Sequence, residues 1–247
     1  MAVTPLMETL SVTARDDLML RPLRIAIQFL TRIPVPPVDT VTNDEVGQSI
    51  LWYPLVGLMI GGLLVALWSV TGGFPPLLRA ALILAAWVLV TGALHLDGLA
   101  DSADAWLGGL GDRERTLAIM KDPYSGPAAV TTLIVVLIVK FAVLDTIVAE
   151  GNWTALMAAP LLGRAALPLL FLTTPYVRPD GLGSVLASHL PRRSAIVILF
   201  ATVLVILFVL GHRGFWLLLV CTVVFFAVRR MMIHRIGGTT GDTAGSL

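Results

Sequence analysis

Residues 51–70 read LWYPLVGLMIGGLLVALWSV, a run of 20 residues without a charged side chain. A helix of this length is about 30 Å long, which matches the hydrocarbon core of a bilayer. Five further apolar stretches follow, at 77–96, 128–148, 154–174, 195–210 and 215–228. The last two are short, so we expect their flanks to span part of the membrane thickness. The sequence therefore predicts a single integral membrane domain, an all-α polytopic transmembrane helical bundle with about six spans.

The composition supports the membrane class. Hydrophobic residues make up 57% of the chain and charged residues only 13%, whereas about a quarter of a soluble domain is charged. The net charge of +1 gives no electrostatic reason to expect a nucleic-acid partner. The single cysteine, Cys221, excludes an internal disulfide and a cysteine-based zinc site. Glu8, Asp16 and Asp17 interrupt the N-terminal region, so the pattern of a secretory signal peptide is absent.

The basic residues predict the orientation of the bundle. With the N-terminus inside and six alternating spans, only Arg79 and Arg213 fall in outside loops, while Lys140 and Arg164 fall within spans. The positive-inside rule then predicts that both termini are cytoplasmic. The other thirteen basic residues fall on the inside: Arg15, Arg21, Arg24, Arg32, Arg113, Arg115, Lys121, Arg178, Arg192, Arg193, Arg229, Arg230 and Arg235.

The N-terminal region precedes the first span. Residues 1–20 are expected to be flexible, and 20–33 to form an amphipathic helix that Pro34 ends. This helix could lie flat on an anionic membrane surface or pack against the bundle. Within the first span, Gly57, Gly61 and Gly62 form a pattern of small residues that lets two helices approach closely.

The acidic segment HLDGLADSAD, at 95–104, follows the second apolar stretch. As a continuation of the second helix it would carry Asp97, Asp101 and Asp104 on one narrow strip, near a helix C-terminus where the dipole does not favour anions. The strip predicts a site for Mg²⁺, or Mn²⁺, with substrate phosphate oxygens as further ligands. The alternative is a solvated helix end that carries acids for solubility. His95 would point away from the strip, as a packing residue.

Further polar groups are expected on the same cytoplasmic side, in the acidic segment at 97–126, in the loop at 176–183 before the fifth span and in the tail at 229–247. Together they predict a site for metal-dependent phosphoryl transfer, in which positioning and charge neutralisation dominate catalysis. Taken singly, each also fits a surface charge pair, an ordinary loop or a flexible terminus. The candidates are Lys121, Asp122, Arg178, Gly181, Gly183, Gly241 and Asp242.

A divalent-cation transporter is the rival interpretation from another functional class. Lys140, Asp145 and Arg164 are the ionisable residues well within the predicted spans, and intramembrane charge often marks a transport path. The two basic residues could instead pair with Asp145 or with carbonyl groups. Transport is the weaker hypothesis, because no acidic residue lies near mid-membrane to relay a cation.

Several motifs in order closely resemble the cobalamin synthase family, the adenosylcobinamide-GDP ribazoletransferases. The likeness runs from about residue 23 to the end of the chain, although the family pattern continues after the last motif with a hydrophobic segment that is absent here. The spacing of the aspartates also loosely resembles the aspartate motif of CDP-alcohol phosphotransferases. A membrane phosphotransferase of that type is the alternative function. The motifs are FLTRIPVP at 29–36, WYPLVGLMIGG at 52–62, HLDGLADSADAW at 95–106, DRERTLAIMKDPYSG at 112–126, RPDGLG at 178–183 and GGTTGDT at 237–243.

The resemblance implies the last assembly step of vitamin B12 and its coenzyme, at the bacterial cell inner membrane. In this reaction α-ribazole, or its 5′-phosphate, is joined to adenosylcobinamide-GDP and GMP is released, with Mg²⁺ as cofactor. Asp97, Asp101 and Asp104 would hold the metal and, with Lys121, act in catalysis. The lipid bilayer is a partner, nucleic acid is not, and a homo-oligomer stays open. The residues implied to contact substrate are Asp122, Arg178, Gly181, Gly183, Gly241 and Asp242.

Overall fold

The computed structural model describes residues 20–247, and the predicted flexible segment 1–20 lies outside them except for Leu20. In this range the chain is helical, apart from loops and one isolated bridge between Tyr176 and Thr239. A 3₁₀ turn, Ile50–Trp52, joins the helices on either side of it. The helices are α1 (20–30), α2 (Asn43–Ser49), α3 (Tyr53–Val70), α4 (Pro76–Val90), α5 (Leu94–Gly108), α6 (Arg113–Ile119), α7 (Pro127–Ala149), α8 (Trp153–Thr173), α9 (Leu182–Ser188), α10 (Arg192–Ile236) and α11 (Gly241–Gly245).

Membrane-spanning helices dominate the molecule. Four described helices are long and apolar enough to cross a bilayer, namely α2 and α3 taken together, α7, α8 and α10, and the bent pair α4–α5 is a fifth candidate. The all-α polytopic prediction is therefore confirmed. The N-terminal helix α1 packs against this bundle, since Ala26 and Leu30 are fully buried in the main core, which favours the packing alternative for that segment.

The two short apolar stretches near the C-terminus are the two arms of α10, and the chain reverses direction between them. Gly211 has φ 55° and ψ −132° in the middle of this helix. Arg192 donates to the carbonyl of Leu172 and Arg229 to the carbonyl of Thr173, at 2.9 and 3.2 Å. Residues 192 and 229 would be roughly 55 Å apart in a straight helix. The arms are therefore antiparallel, and both ends of α10 meet the end of α8.

The acidic segment at 95–104 does not continue the helix of the second apolar stretch, so the prediction of one continuous helix is wrong. Helix α4 ends at Val90, and α5 starts at Leu94 after a bend of 84°. Gly92 and Ala93 both have a φ of 58°, a conformation that breaks a right-handed helix. The backbone N–H of Arg32 donates to the carbonyl of Val90 at 2.7 Å and closes the end of α4. A bent pair of this kind is either a broken span or a re-entrant segment, and three carboxylates such as those of α5 would be costly in hydrocarbon.

Helices α3 and α8 pack extensively against each other, and glycines make this approach possible. A Cβ atom at Gly57 would lie 2.5 Å from the carbonyl oxygen of Pro160, and one at Gly61 would lie 2.9 Å from the Cα of Met157. A Cβ atom at Gly62 would have no neighbour within 4 Å. The predicted small-residue packing therefore involves Gly57 and Gly61, while Gly62 faces away from the partner helix.

We expect Gly57→Ala to lower the stability of the bundle by about 1–3 kcal/mol, since the new methyl group overpacks the contact with α8. Gly62→Ala is the matched control and should be neutral or stabilising by up to about 1 kcal/mol, because alanine favours helix and nothing is crowded. Thermal unfolding of both proteins in one detergent measures the difference. Equal unfolding temperatures would contradict the close α3–α8 contact.

Candidate active site

The acidic strip lies on a single helix, α5, in spite of the bend before it. Asp97, Asp101 and Asp104 are all within Leu94–Gly108, and their spacing of four and three residues puts them on one face. Asp97 lies in the first turn of α5, at the positive end of the helix dipole, where an anion is favoured. The expectation of an unfavourable helix end is therefore wrong for Asp97, because the helix starts at Leu94 instead of ending nearby.

Asp97 and Asp101 leave their carboxylates available. Among residues 20–247, neither side chain forms a hydrogen bond or an ion pair, and Asp97 is exposed. Partial burial and the charges of Asp97 and Asp242 raise the pKa of Asp101 to about 6. The Arg178 guanidinium acts in the opposite direction but does not cancel this repulsion, and neighbouring carboxylates that repel one another favour the binding of a cation between them.

Asp104 differs from the other two acids in its contacts. Its carboxylate accepts from the backbone N–H of Gly126 and, at 2.9 Å, from that of Ala129. These amides belong to the start of α7, a helix N-terminus that an anion stabilises. The structure thus joins Asp104 to α7, a contact that the spacing of the motif did not indicate.

The fourth acid of the group, Asp242, comes from the C-terminal segment. Thr240 and Thr243 form a capping box that starts α11, and Thr239, Thr240 and Thr243 are fully buried. The bridge between Tyr176 and Thr239 ties this segment to the loop after α8. The motif at 237–243 is therefore a folded part of the site, and it carries Asp242 to α5.

Gly98 permits this approach of α11 to α5. A Cβ atom at Gly98 would lie 2.5 Å from the backbone oxygen of Asp242 and 3.1 Å from the Cα of Gly245. Real Cβ contacts essentially never fall below 3.0 Å. The glycine that follows Asp97 in the motif therefore serves close helix packing, and this packing places Asp242 beside the acidic strip.

Arg178 provides positive charge at the same place. Its Nη1 lies 2.8 Å from Oδ2 of Asp242, an ion pair whose angle does not meet hydrogen-bond geometry. The Nε and Nη2 groups of Arg178 are buried and have no hydrogen-bond partner in the described part of the chain. Burial raises the pKa of Asp242, although the Arg178 guanidinium acts in the opposite direction. The free donors suit phosphate oxygens, which guanidinium groups bind well.

The donor set fits a magnesium ion that is shared with substrate. Within residues 20–247, no group of three or more Asp, Glu, His or Cys side chains is placed so that the protein alone could hold a metal ion. Mg²⁺ usually binds to one or two carboxylates and completes its shell with water and substrate phosphates. The unpartnered carboxylates of Asp97 and Asp101 meet that requirement, with Asp242 as a neighbouring charge.

The other predicted residues lie at different distances from this group. Lys121 and Asp122 are exposed on the turn after α6, where Asp122 accepts from the backbone N–H of Tyr124 at 3.1 Å, and neither contacts the acids of α5. Gly181 is exposed at the start of α9, with a φ of 101°. A Cβ atom at Gly183 would lie 2.4 Å from the hydroxyl of Tyr176, so Gly183 packs against that ring.

Tyr176 was missed from the sequence, although it lies within the site. Its ring stacks on Phe171, and its hydroxyl interacts through a hydrogen bond with the backbone of Gly241 in the first turn of α11. The signal that could have identified it is its position two residues before Arg178, in a loop expected on the acidic side. Its contacts join helix α8 to the motif at 178–183 and to the motif at 237–243, and only the folded chain brings these segments together.

The intramembrane charges do not form the predicted pairs. Lys140 lies over the ring of Trp87, 3.5 Å from its centroid, and no ion pair joins Asp145 to Lys140 or Arg164 in the described chain. A cation–π contact stabilises a lysine in an apolar setting. A cavity of about 550 Å³ between α8 and α10 is lined mainly by apolar side chains and contains none of the acids. Neither feature provides an acidic path across the membrane.

The sequence of the chain is similar to those of known proteins along most of its length. The sequence model of the cobalamin-5-phosphate synthase family matches residues 22–247. The chain belongs to this family. An adenosylcobinamide-GDP ribazoletransferase of Pseudomonas fluorescens is 56% identical over 226 residues, which are 92% of this chain and 93% of that protein.

Two further relatives of the chain have the same name. Proteins named adenosylcobinamide-GDP ribazoletransferase from Pseudomonas putida and Pseudomonas savastanoi pv. phaseolicola are 56% and 53% identical over 226 residues, again 92% of this chain. These matches cover 92% and 93% of the relatives. No solved structure matches the chain. The resemblance inferred from the motifs is thus confirmed, and with it the assignment of the chain to the transferases.

Proposed function

We propose that this cobalamin-5-phosphate synthase family member joins a ribazole, α-ribazole or its 5′-phosphate, to adenosylcobinamide-GDP and releases GMP. The observation that carries the proposal is the meeting of unpartnered carboxylates on α5 with the free donors of Arg178. A metal ion held by carboxylates, together with a guanidinium group beside it, is suited to holding a diphosphate. The names of the relatives supply the identity of the two substrates.

Each polar group has a place in the reaction. A ribose hydroxyl attacks the phosphorus on the cobinamide side and loses its proton to water. A new P–O bond forms, and the P–O bond to the leaving GMP breaks. Asp97 and Asp101 would hold Mg²⁺, which when bound neutralises the charge on the diphosphate. Arg178 donates to phosphate oxygens through Nε and Nη2 and is held in place by Asp242.

Asp104 acts differently from the metal-holding acids in this proposal. Its contacts with the amides of α7 fix the end of α5 against the start of that helix, and so keep the acidic face in position. Lys121 and Asp122 are exposed nearby, and we propose that they meet the charged groups of the large cobinamide substrate at the rim. Gly181 and Gly183 shape the loop that carries Arg178.

The proposed location is the bacterial inner membrane, with both termini in the cytoplasm. Two features support this orientation: the excess of basic residues in the predicted inside segments, and the gathering of α5, α11 and the loop after α8 at one end of the bundle. Cytoplasmic exposure would give the site access to Mg²⁺ and to soluble nucleotides, while the bilayer surrounds the apolar helices.

The direct test is a GMP-release assay with the purified protein in lipid. We expect GMP to appear only when adenosylcobinamide-GDP, α-ribazole and Mg²⁺ are all present, and we expect a chelator to abolish its release until excess Mg²⁺ is added back. Chromatography of the nucleotide and corrinoid products measures both halves of the reaction. GMP release without ribazole would indicate hydrolysis instead, and release unaffected by chelation would exclude the proposed metal.

A further inference from the structure

A cavity of about 230 Å³ lies beside the proposed metal site. Asp97 and Asp242 line one part of it, while most of the remaining wall is apolar or aromatic and comes from α1, α3, α8 and α9. The cavity is smaller than the ~300–1,000 Å³ typical of sites for drug-sized ligands, so it accepts only a part of either substrate. Two stacked ring pairs line it, Phe29 with Tyr53 at 6.2 Å between centroids, and Phe171 with Tyr176 at 6.0 Å.

Apart from Asp97 and Asp242, the polar side chains of this cavity are two tyrosines and His95, and the tyrosine hydroxyls have partners. The hydroxyls of Tyr53 and Tyr176 interact with Ser49 and with the backbone of Gly241. His95 also lines the cavity, and its Nδ1 lies 3.1 Å from the carbonyl oxygen of Gly245. A carbonyl can only accept, so Nδ1 carries the proton and Nε2 of the neutral ring is an acceptor. That Nε2 has no hydrogen-bond partner among the described residues.

We propose that this cavity holds the benzimidazole base of the ribazole substrate, an inference that rests on the proposed function. The base is a flat bicyclic ring with apolar faces, and such rings stack on aromatic side chains with little need for hydrogen bonds. The ribose then lies towards Asp97 and Asp242, where its attacking hydroxyl meets the diphosphate. A second ribose hydroxyl donates to Nε2 of His95.

The other large parts of the two substrates fit this cavity poorly. Guanine carries several donors and acceptors along its edge, and burying them without partners is costly. Apart from Asp97 and Asp242, which the proposed reaction uses for the metal and for Arg178, the wall offers only Nε2 of His95 as an unpartnered side-chain atom. The corrin ring is far larger than 230 Å³ and must remain outside. The base of ribazole is the part whose size and polarity both match.

The test compares the effect of Phe29→Ala on KM for each of the two substrates. Phe29 is 37% exposed, so its removal deletes one stacking ring of the cavity and costs the core only its contact with Tyr53. We expect KM for α-ribazole to rise by about tenfold, with KM for adenosylcobinamide-GDP changing less than about twofold. Phe208→Ala, which removes a ring that is 91% exposed on α10, is the matched control and should leave both constants unchanged.

A second variant and a binding measurement keep the inference testable if Phe29→Ala does not fold. Leu182→Trp adds bulk at a cavity residue that is 42% exposed, and it should weaken the binding of α-ribazole in equilibrium dialysis. Free benzimidazole should compete with α-ribazole for wild-type protein, whereas free ribose should not. Equal rises in both KM values, no rise in either, or competition by ribose alone would overturn the assignment. A wild-type protein that releases no GMP would instead reject the proposed function itself.

Discussion

Asp97→Asn and Asp101→Asn should each reduce turnover by at least about a hundredfold while the protein remains folded. Asparagine keeps the shape of the side chain but removes the negative charge that would hold the metal against the diphosphate, and the loss of one such electrostatic contact typically costs 10²–10³ in rate. Neither carboxylate has a partner within residues 20–247, so folding should not depend on them. GMP release and thermal unfolding, measured on the same preparations, check both parts.

Two further substitutions sharpen this comparison. Asp44→Asn changes an exposed acid in the first turn of α2 and should leave turnover within about twofold of wild type. Asp104→Ala removes the acceptor of two α7 amides and should lower stability by about 0.5–2 kcal/mol in addition to any loss of rate. Normal turnover in both asparagine variants of α5 would reject the metal site.

The helical architecture could be predicted because it depends on local patterns. Each of the six apolar stretches corresponds to helix in the structure, and the spacing of Asp97, Asp101 and Asp104 survives because all three lie within one helix. Apolar length and side-chain periodicity are encoded by neighbouring residues, so distant contacts are not needed to recognise them.

The bend before α5 could not be predicted, because distant contacts stabilise it. Ala93 adopts a φ of 58°, which is uncommon for a residue with a side chain, and the end of α4 is closed by the backbone of Arg32 from the N-terminal segment. Sequence periodicity across 77–96 gives no sign of either contact. The consequence is electrostatic, since the bend turns the expected helix end at Asp97 into a helix start.

The candidate site could be predicted in its composition but not in its arrangement. Arg178 and Asp242 were expected on the side of the acidic strip, and the structure joins them in an ion pair at 2.8 Å. The capping of α7 by Asp104 and the stacking of Tyr176 on Phe171 connect residues that are far apart in sequence. Such contacts arise from how helices meet, and no single segment encodes them.

Gly98→Ala should reduce turnover by about a hundredfold with only a small change in unfolding temperature. The new Cβ atom would lie 2.5 Å from the backbone oxygen of Asp242, whereas ordinary contacts start at 3.4 Å, so α11 must move by roughly 1 Å, and displacements of that size can cost about 10²-fold in rate. The greater helix propensity of alanine, worth up to about 1 kcal/mol, offsets part of the 1–3 kcal/mol cost of overpacking. The result would therefore be a folded protein whose Asp242 and Arg178 no longer meet the acids of α5.

Gly108→Ala, in the same helix, is the control for Gly98→Ala. Its Cβ atom would lie 2.8 Å from Cδ1 of Ile119, the far end of a flexible side chain that can rotate away, so turnover should stay within about twofold of wild type. Kinetics and thermal unfolding of the two variants, measured side by side, separate a displaced α11 from a general effect of alanine in α5. If Gly98→Ala retained full activity, the contact between α11 and α5 would not be what positions Asp242 for the reaction.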